Sequence, residues 1–351
     1  MGKSVIVIGG GIAGMTAAGM LARQGYEVTL LEKENETGGH VAHWDRLFPD
    51  RRKASEVLEF TGEGMKDVHV ARGISISRIT RQNNEFTVTC GMQDAGSVMK
   101  SHFTANALIV ATGFDLFEAR RKEEYGYGIY NNVITSADLE VKFKSGKGIL
   151  TAEGKIPKRI GIIHCVGSRD EKVGNLYCSK VCCVTGVKQA IELKEMYPGS
   201  VVFSFYMDLR MYDRNFEELY YEAQQKWGIS FIRGRLSECA ENPDGSIVIR
   251  TEDTLTGKPL KMTVDLLVLL VGFVPAAGTA SVAGMIGLKT GTDGFVNPAD
   301  SHIQNNLSGI PGVFLTGAVK GPVSVTEAIA DARAAAALTS EYLTASIEEH
   351  A

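Results

Sequence analysis

The stretch CVGSRDEKVGNLYCSKVCC, residues 165–183, brings together four of the chain's six cysteines: Cys165, Cys178, Cys182 and Cys183. Thiolates are the usual ligands of iron-sulfur clusters, bind zinc, and exchange electrons with disulfides. The spacing is C-x12-C-x3-C-C, which is not a ferredoxin run. If a helix opens at Cys178, then Cys178 and Cys182 share one face, with Cβ atoms about 5–6 Å apart. Cys183 then stands about 100° further round, an offset that a bulky cluster at a helix start tolerates better than a single tetrahedral zinc. A helix N-terminus also offsets part of the thiolates' charge. A [4Fe-4S] cluster therefore stands first, a redox dithiol formed by Cys178 and Cys182 second, and zinc behind both. Cys90 and Cys239 are isolated and read as buried, inert thiols.

Composition narrows the setting. The 351 residues are 44% apolar and 22% charged, as in a globular chain of about two domains. A net charge of -4 without a long basic run argues against nucleic acid as the main partner. No apolar run approaches the ~18 residues of a membrane helix. The N-terminus enters a glycine-rich motif in place of a cleavable signal, so the expected location is the cytoplasm. In that reducing setting clustered cysteines point to metal or redox chemistry before structural disulfides.

These cysteines must be held by strands and helices, and the clearest ones open the chain. SVIVIGGGIAGMTAAGMLARQGYEVTLLEKENETGG reads as strand, tight turn, helix and strand. Gly9, Gly11 and Gly14 form G-x-G-x-x-G: the first allows the turn, the second lets backbone approach a pyrophosphate, and the third lets helix pack on strand. Glu32 ends the second strand, where a carboxylate accepts hydrogen bonds from ribose hydroxyls and disfavours a 2′-phosphate. Residues 66–104 alternate in short polar and apolar stretches and read as a small antiparallel meander. The segment 155–272 reads as a second βαβ unit. Laying KRIGIIHCVGSRD on KSVIVIGGGIAG puts His164 at the position of Gly9 and Val166 at that of Gly11. Side chains there block a pyrophosphate, so the second turn is not expected to hold a nicotinamide nucleotide. Cys165 occupies that same strand end.

Glu32 begins E-x5-G-G, ending at Gly38 and Gly39; ANALIVATG closes a strand at Ala111, Thr112 and Gly113; GVFLTGA, residues 312–318, precedes an alanine-rich helix with a Ser324/Glu327 capping box. This set resembles the two-dinucleotide-binding-domain flavoproteins, the thioredoxin and glutathione reductase superfamily. The resemblance implies an α/β fold of two Rossmann-like domains, with FAD on the first motif and the late helix against the flavin. That helix's positive end would stabilise charge developing on the reduced ring. The implied FAD contacts are Gly9, Gly11, Ile12, Ala13, Gly14, Glu32, Lys33, Gly38, Gly39, His40, Val41, Ile76, Ala111, Thr112, Gly113, Gly317, Ala318, Val325 and Thr326. One departure stands out: the family usually has aspartate where this chain has Ala318.

HCVGSRD, YCSKVCC, EYGYGIYNNVITSADLE at 124–140 and GGHVAHWDRLFPD at 38–50 together make the chain similar to the A-type flavin subunits of heterodisulfide reductase. The similarity covers nearly all of the sequence. It implies that Cys165, Cys178, Cys182 and Cys183 bind a [4Fe-4S] cluster near the FAD. The extra cluster domain and ferredoxin inserts of full-length members are not in this sequence, which resembles the short A-like proteins of the heterodisulfide reductase-like complex of sulfur oxidisers. Those imply a homodimer working with B-like and C-like heterodisulfide reductase subunits and lipoate-binding proteins in cytoplasmic sulfur oxidation.

The expected organisation is FAD domain 1–115, connecting segment 116–154, second Rossmann-like domain 155–272 and the rest of the FAD domain 273–351. The expected role is electron transfer within an oxidoreductase complex, with no side chain acting as a general base. His40, His43 and His164 are candidates for tuning the flavin or cluster by hydrogen bonding, and Arg169 for offsetting cluster charge. Two other functions stay open: a flavin-dependent disulfide reductase using Cys178 and Cys182, and a non-catalytic scaffold for partner proteins.

Overall fold

The computed structural model describes residues 3–94 and 97–348, and the chain divides into two units. The first comprises Met1–Ala42, Ser55–Asp115 and Val274–Ala351. Its parallel sheet grows from β1 (Ser4–Ile8), which pairs with Glu27–Leu31 on one side and Ala107–Val110 on the other. His69–Ala71 and Val313–Leu315 extend the two edges. Runs such as ALIV, buried at every position, are what a parallel sheet covered on both faces requires. Helix α1 (Ile12–Arg23) crosses from β1, and its Ala13, Gly14, Ala17, Ala18 and Gly19 are buried.

The expected meander is present in this unit as three antiparallel strands, Ile74–Gln82, Glu85–Asp94 and Ser97–Ala105. It begins later than the alternation suggested, because 69–71 joins the parallel sheet instead. The last helix, Val325–Glu348, starts with a reciprocal cap: Glu327 N donates to Ser324 Oγ at 3.2 Å, and Ser324 N donates to Glu327 Oε2 at 2.8 Å.

The second unit comprises His43–Ala54 and Leu116–Phe273. Its five-stranded parallel sheet runs in the order Val133–Thr135, Leu266–Val271, β2 (Arg159–Val166), Val201–Tyr206 and Ser230–Arg233. Leu266–Val271 is buried throughout, and each such side chain contributes about 1.5–3 kcal/mol. Helix α2 (Cys182–Met196) makes the crossover after β2. A second antiparallel meander, Leu236–Glu241, Ile247–Asp253 and Lys258–Val264, belongs to this unit and was not expected. Its strands mix charged and apolar residues much as the surrounding loops do.

Helix α2 is anchored by a buried charge cluster. Lys188 is 2% exposed, and its Nζ donates to Glu140 Oε1 at 2.5 Å and to the Arg46 carbonyl at 2.9 Å. Gln189 Nε2 donates to Glu140 at 2.7 Å. Glu192 faces Lys188 at 3.2 Å, yet neither of its buried oxygens has a hydrogen-bond partner. Burial pushes its carboxyl up to about 7; Lys188 and Arg46 oppose that and Glu140 adds to it. An acid whose folded value is raised binds its proton more tightly in the folded chain. The stability this confers is complete below 4.5 and is gone once the pH has risen through about 7. For this shift the contribution is about 3 kcal/mol. In urea unfolding, Glu192→Gln is expected to lose most of the wild-type fall in stability between pH 5 and pH 7.5. An unchanged slope would contradict the assignment.

Candidate functional site

The glycine turn of the first unit is built for close approach. A Cβ on Gly9, at φ +110°, would lie 2.2 Å from the Ala111 carbonyl oxygen, and one on Gly14 would lie 1.8 Å from the Gly9 carbonyl oxygen. Strand, turn and helix therefore touch through backbone. Gly11 differs, because a Cβ there meets nothing within 4 Å. Open space lies over the turn just where α1 presents its first N–H groups, as an anion requires.

Glu32 is buried beside it. Its Oε2 accepts from Gly10 N at 2.6 Å and its Oε1 from Glu34 N at 2.9 Å. The carboxylate thus braces the turn as well as ending the strand, and each oxygen keeps a lone pair for a ribose hydroxyl. Gly38 N donates back to the Gly10 carbonyl at 2.7 Å, and a Cβ on Gly39 would stand 3.1 Å from Gly11 Cα. The E-x5-G-G loop therefore lies along the glycine turn.

Ile12, Ala13 and Gly14 open α1, and a Cβ on Gly317, at φ +71°, would stand 2.7 Å from Ala13 Cβ. The late strand's end thus meets the start of α1, while Ala111, Thr112 and Gly113 follow the strand between. Ala318 is buried, and Val325 and Thr326 are the first residues of the last helix. His40 stacks on Phe114 with ring centroids 4.4 Å apart, and its Nε2 lies 2.8 Å from the Phe114 carbonyl. Val41 is buried, Ile76 packs against the core, and Lys33 is exposed beside Glu34.

Sequence reasoning missed Asp331. Its Oδ2 accepts from Gly317 N at 2.7 Å and Thr316 Oγ1 at 3.1 Å, while its Oδ1 accepts from Asn306 Nδ2 at 2.8 Å and Lys320 Nζ at 2.7 Å. It comes from the last helix, well beyond the strand, where no local motif marks it. A carboxylate is thus held against the turn Gly317–Lys320 that contains Ala318, hydrogen-bonded to its first backbone N–H.

In the second unit the corresponding turn is different in kind. Strand β2 carries on to Val166, and residues 167–181 form a loop before α2 begins. The loop is tied down: Asn175 Nδ2 donates to the Gly167 carbonyl at 2.8 Å, Arg169 N to the Tyr177 carbonyl at 2.9 Å, and Ser179 Oγ accepts from Phe273 N at 2.9 Å. A Cβ on Gly167 would fall 2.0 Å from the Phe117 ring. No helix N-terminus directly follows the strand, so the geometry for a pyrophosphate is absent from this turn.

The helix opens at Cys182, not at Cys178, which corrects the expectation of a shared face. Lys180 has φ +62°, and no helix runs through that conformation. Cys178 sits in the loop before it, its Sγ accepting from Lys180 N at 3.3 Å. What gathers the thiols is topology: Cys165 ends the strand and Cys182 and Cys183 start the crossover helix. Cys182 lies within hydrogen-bonding reach of both Cys165 and Cys183, which places it between them.

Among the described residues seven non-glycine residues have positive φ, and three of them, Cys165, Arg169 and Lys180, lie in this short segment. Each costs on the order of 1 kcal/mol or more, a concentration of strain typical of functional sites.

The electrostatics favour thiolates at Cys165 and Cys183. Cys183 is lowered to about 4, first by the Cys182 thiol and then by His164 and the Arg210 backbone N–H, against its burial. Cys165 falls to about 7 through Cys182, with His164 and Arg169 assisting. Cys182 is raised by its interactions with Cys165 and Cys183, and burial adds to that. The Arg169 guanidinium, held by Asp208 at 2.7 Å, places its charge beside Cys165 and Cys178. Cys90 and Cys239, by contrast, are pushed up to about 11 and about 12 by burial, so neither is a ready nucleophile or ligand.

Among the described residues no group of three or more His, Cys, Asp or Glu side chains is arranged around a single metal ion. The four sulfur donors are nevertheless soft, three of them are buried, and Cys165 and Cys183 are held towards thiolate, which fits an iron-sulfur cluster. Among the described residues no helix is long and apolar enough to cross a membrane.

A family model for an NAD(P)-binding Rossmann-like domain matches residues 7–69. The T. acidophilum thioredoxin reductase crystal structure superposes with a TM-score of 0.66 at 18% identity, covering 98% of this chain and 99% of that one. The Lactococcus lactis thioredoxin reductase does so at 0.66 and 19%, covering 97% of this chain and 99% of that one. Two parallel sheets, a glycine turn and this likeness define a two-dinucleotide-binding-domain flavoprotein fold. The A subunit of the H(2):CoB-CoM heterodisulfide,ferredoxin reductase of Methanothermobacter marburgensis is 32% identical over 412 residues, covering 95% of this chain. An iron-sulfur A subunit of the CoB–CoM heterodisulfide reductase of Methanopyrus kandleri is 32% identical over 421, covering 97%. Over nearly its whole length, then, the chain is similar to heterodisulfide reductase A subunits. It spans 62% and 64% of the length of those two relatives.

Proposed function

We propose that this chain is an FAD- and [4Fe-4S]-bearing electron-transfer component of a heterodisulfide reductase-like complex. The observation that carries the reading is the second unit's strand end. Where a nucleotide turn belongs, Cys165 sits at φ +60° and the facing helix opens with Cys182 and Cys183. In this reading Cys165, Cys178, Cys182 and Cys183 are the cluster ligands. Four ligands of a four-iron cube each bind a different iron, so they need not converge on one point as ligands of a single ion do.

When bound, FAD exchanges electrons in pairs or singly and the cluster one at a time, so together they link two-electron to one-electron chemistry. The chain's own residues supply position and charge. Gly9, Gly11 and Gly14 admit a pyrophosphate, and Glu32 offers lone pairs to a ribose. Arg169, the start of α2 and the Arg210 N–H compensate the thiolates. Metal loading would require the Cys182 thiol to give up its proton against its burial. We assign the chain to cytoplasmic sulfur oxidation, as a homodimer with B-like and C-like heterodisulfide reductase subunits and a lipoate-binding protein as partners.

Neither NADH nor NADPH is expected to reduce the purified protein quickly. Anaerobic stopped-flow at 450 nm, roughly the flavin band, tests this, and rapid bleaching by either nucleotide would restore a pyridine-nucleotide reductase. The hydrogen-bonded thiols also suit a second reading, dithiol–disulfide exchange. The pair in contact would then be Cys165 and Cys182 in place of Cys178 and Cys182. Iron content separates the two.

A further inference from the structure

His164 lies one residue before Cys165 on β2, 5% exposed. Its Nε2 is 2.8 Å from Ser204 Oγ on the neighbouring strand, and Ser204 is fully buried. Its Nδ1 is buried and has no hydrogen-bond partner of good geometry. Leaving such a group unpaired is costly, so it calls for a partner.

Where the ring points is given by α2. A Cβ on Gly186 would fall 2.9 Å from His164 Cε1 and 3.0 Å from Nε2, so the helix lacks a side chain just where the imidazole sits. Cys183 and Gly186 are three residues apart, and Cys182 and Gly186 four, so both thiols share that helix face. The Cys183 thiol is the group beside His164. Strand, helix and serine together hold one imidazole against the cysteines, with its spare nitrogen uncommitted.

We infer that His164 is a positioning residue whose Nδ1–H donates a hydrogen bond to the sulfur of Cys183, or to a sulfide of the cluster that Cys183 binds. Ser204 sets the tautomer. Its hydroxyl donates to Nε2, which leaves the proton on Nδ1. A donor to cluster sulfur stabilises the more electron-rich reduced form and so raises the cluster's potential. The inference rests on the cluster reading proposed above.

The test is anaerobic redox titration followed by EPR on wild type, His164→Leu, His164→Asn and Ser204→Ala, after iron and sulfide are quantified in each. His164→Leu removes the donor, and its reduced-to-oxidised ratio at a fixed potential is expected to fall about tenfold, a shift of ~59 mV for one electron. His164→Asn puts an amide N–H near the Nδ1 position and is expected to recover most of that shift. Ser204→Ala, which frees the tautomer, is expected to shift in the same direction and less far. Iron-loaded Leu and Ala variants that both titrate like wild type would overturn the inference and leave the cluster reading intact. If His164→Leu does not hold iron, an Asn variant with no rescue relative to Ser204→Ala overturns it equally. Wild type without iron sinks both.

Discussion

Replacing Cys182 with serine is expected to strip most of the iron from the protein while its FAD stays bound. Cys182 is 4% exposed, opens α2, and is the thiol that contacts both Cys165 and Cys183. A serine hydroxyl is a harder, far more weakly acidic ligand than a thiolate. Loss of an outer partner alone weakens metal sites by about 10–100-fold, so loss of a direct ligand falls at the upper end of that range or beyond. The residues proposed to hold FAD all lie in the other unit, which has its own sheet and core. Iron, sulfide and flavin assays on the purified variant read the result. Iron per chain equal to wild type would show that Cys182 is not a ligand.

The second large effect distinguishes two glycines three residues apart. Gly11→Ala adds a methyl group where nothing of the protein lies within 4 Å, at a φ of -74° that alanine adopts freely. Stability is expected to change by only about 0.5–1 kcal/mol, the difference between glycine and alanine before a helix. The methyl does, however, occupy the approach of the pyrophosphate. Losing two backbone hydrogen bonds of ~1.4 kcal/mol each weakens FAD on the order of 100-fold. Gly14→Ala behaves differently, because its Cβ would lie 1.8 Å from the Gly9 carbonyl oxygen. Helix α1 must move off β1, at a cost of about 3 kcal/mol or more. Thermal unfolding with flavin fluorescence separates the cases. A folded Gly11→Ala that keeps wild-type FAD affinity would mean the dinucleotide does not lie over this turn.

The first turn is legible in the sequence because each glycine there has a separate local reason, and Glu32 stands at a fixed distance along the same strand–helix–strand run. The thiol set is legible as a set for a similar reason, four soft ligands in a short span. Its geometry is not. Helix-forming residues around Cys178 read as one continuous helix, but the left-handed conformation at Lys180 and the hydrogen bonds of the 167–181 loop delay its start to Cys182. Asp331 and Ser204 are invisible for another reason. Each reaches its partner across the sheet or from a distant helix, Asp331 to Gly317 and Ser204 to His164, and no short motif encodes such a pairing. The second meander is hidden because the edge strands of a small sheet alternate weakly and carry many charges.

Charge explains why the cysteines sit where they do. The start of α2, the Arg169 guanidinium and the Arg210 N–H all bring positive potential to thiols that burial would otherwise keep protonated. Cys90 and Cys239, buried without such compensation, move the other way. The contrast within one chain sets Cys165 and Cys183 apart from the packing cysteines, while Cys182 joins them by contact.

Quantitation of iron, acid-labile sulfide and FAD in anaerobically purified protein, with its visible spectrum, tests the central claim most directly. About four irons and four sulfides per chain beside one flavin, with a broad charge-transfer band that dithionite bleaches, is the expected result. Flavin alone, with free thiols at Cys165 and Cys182 and nicotinamide nucleotide bound by the second unit, would contradict it.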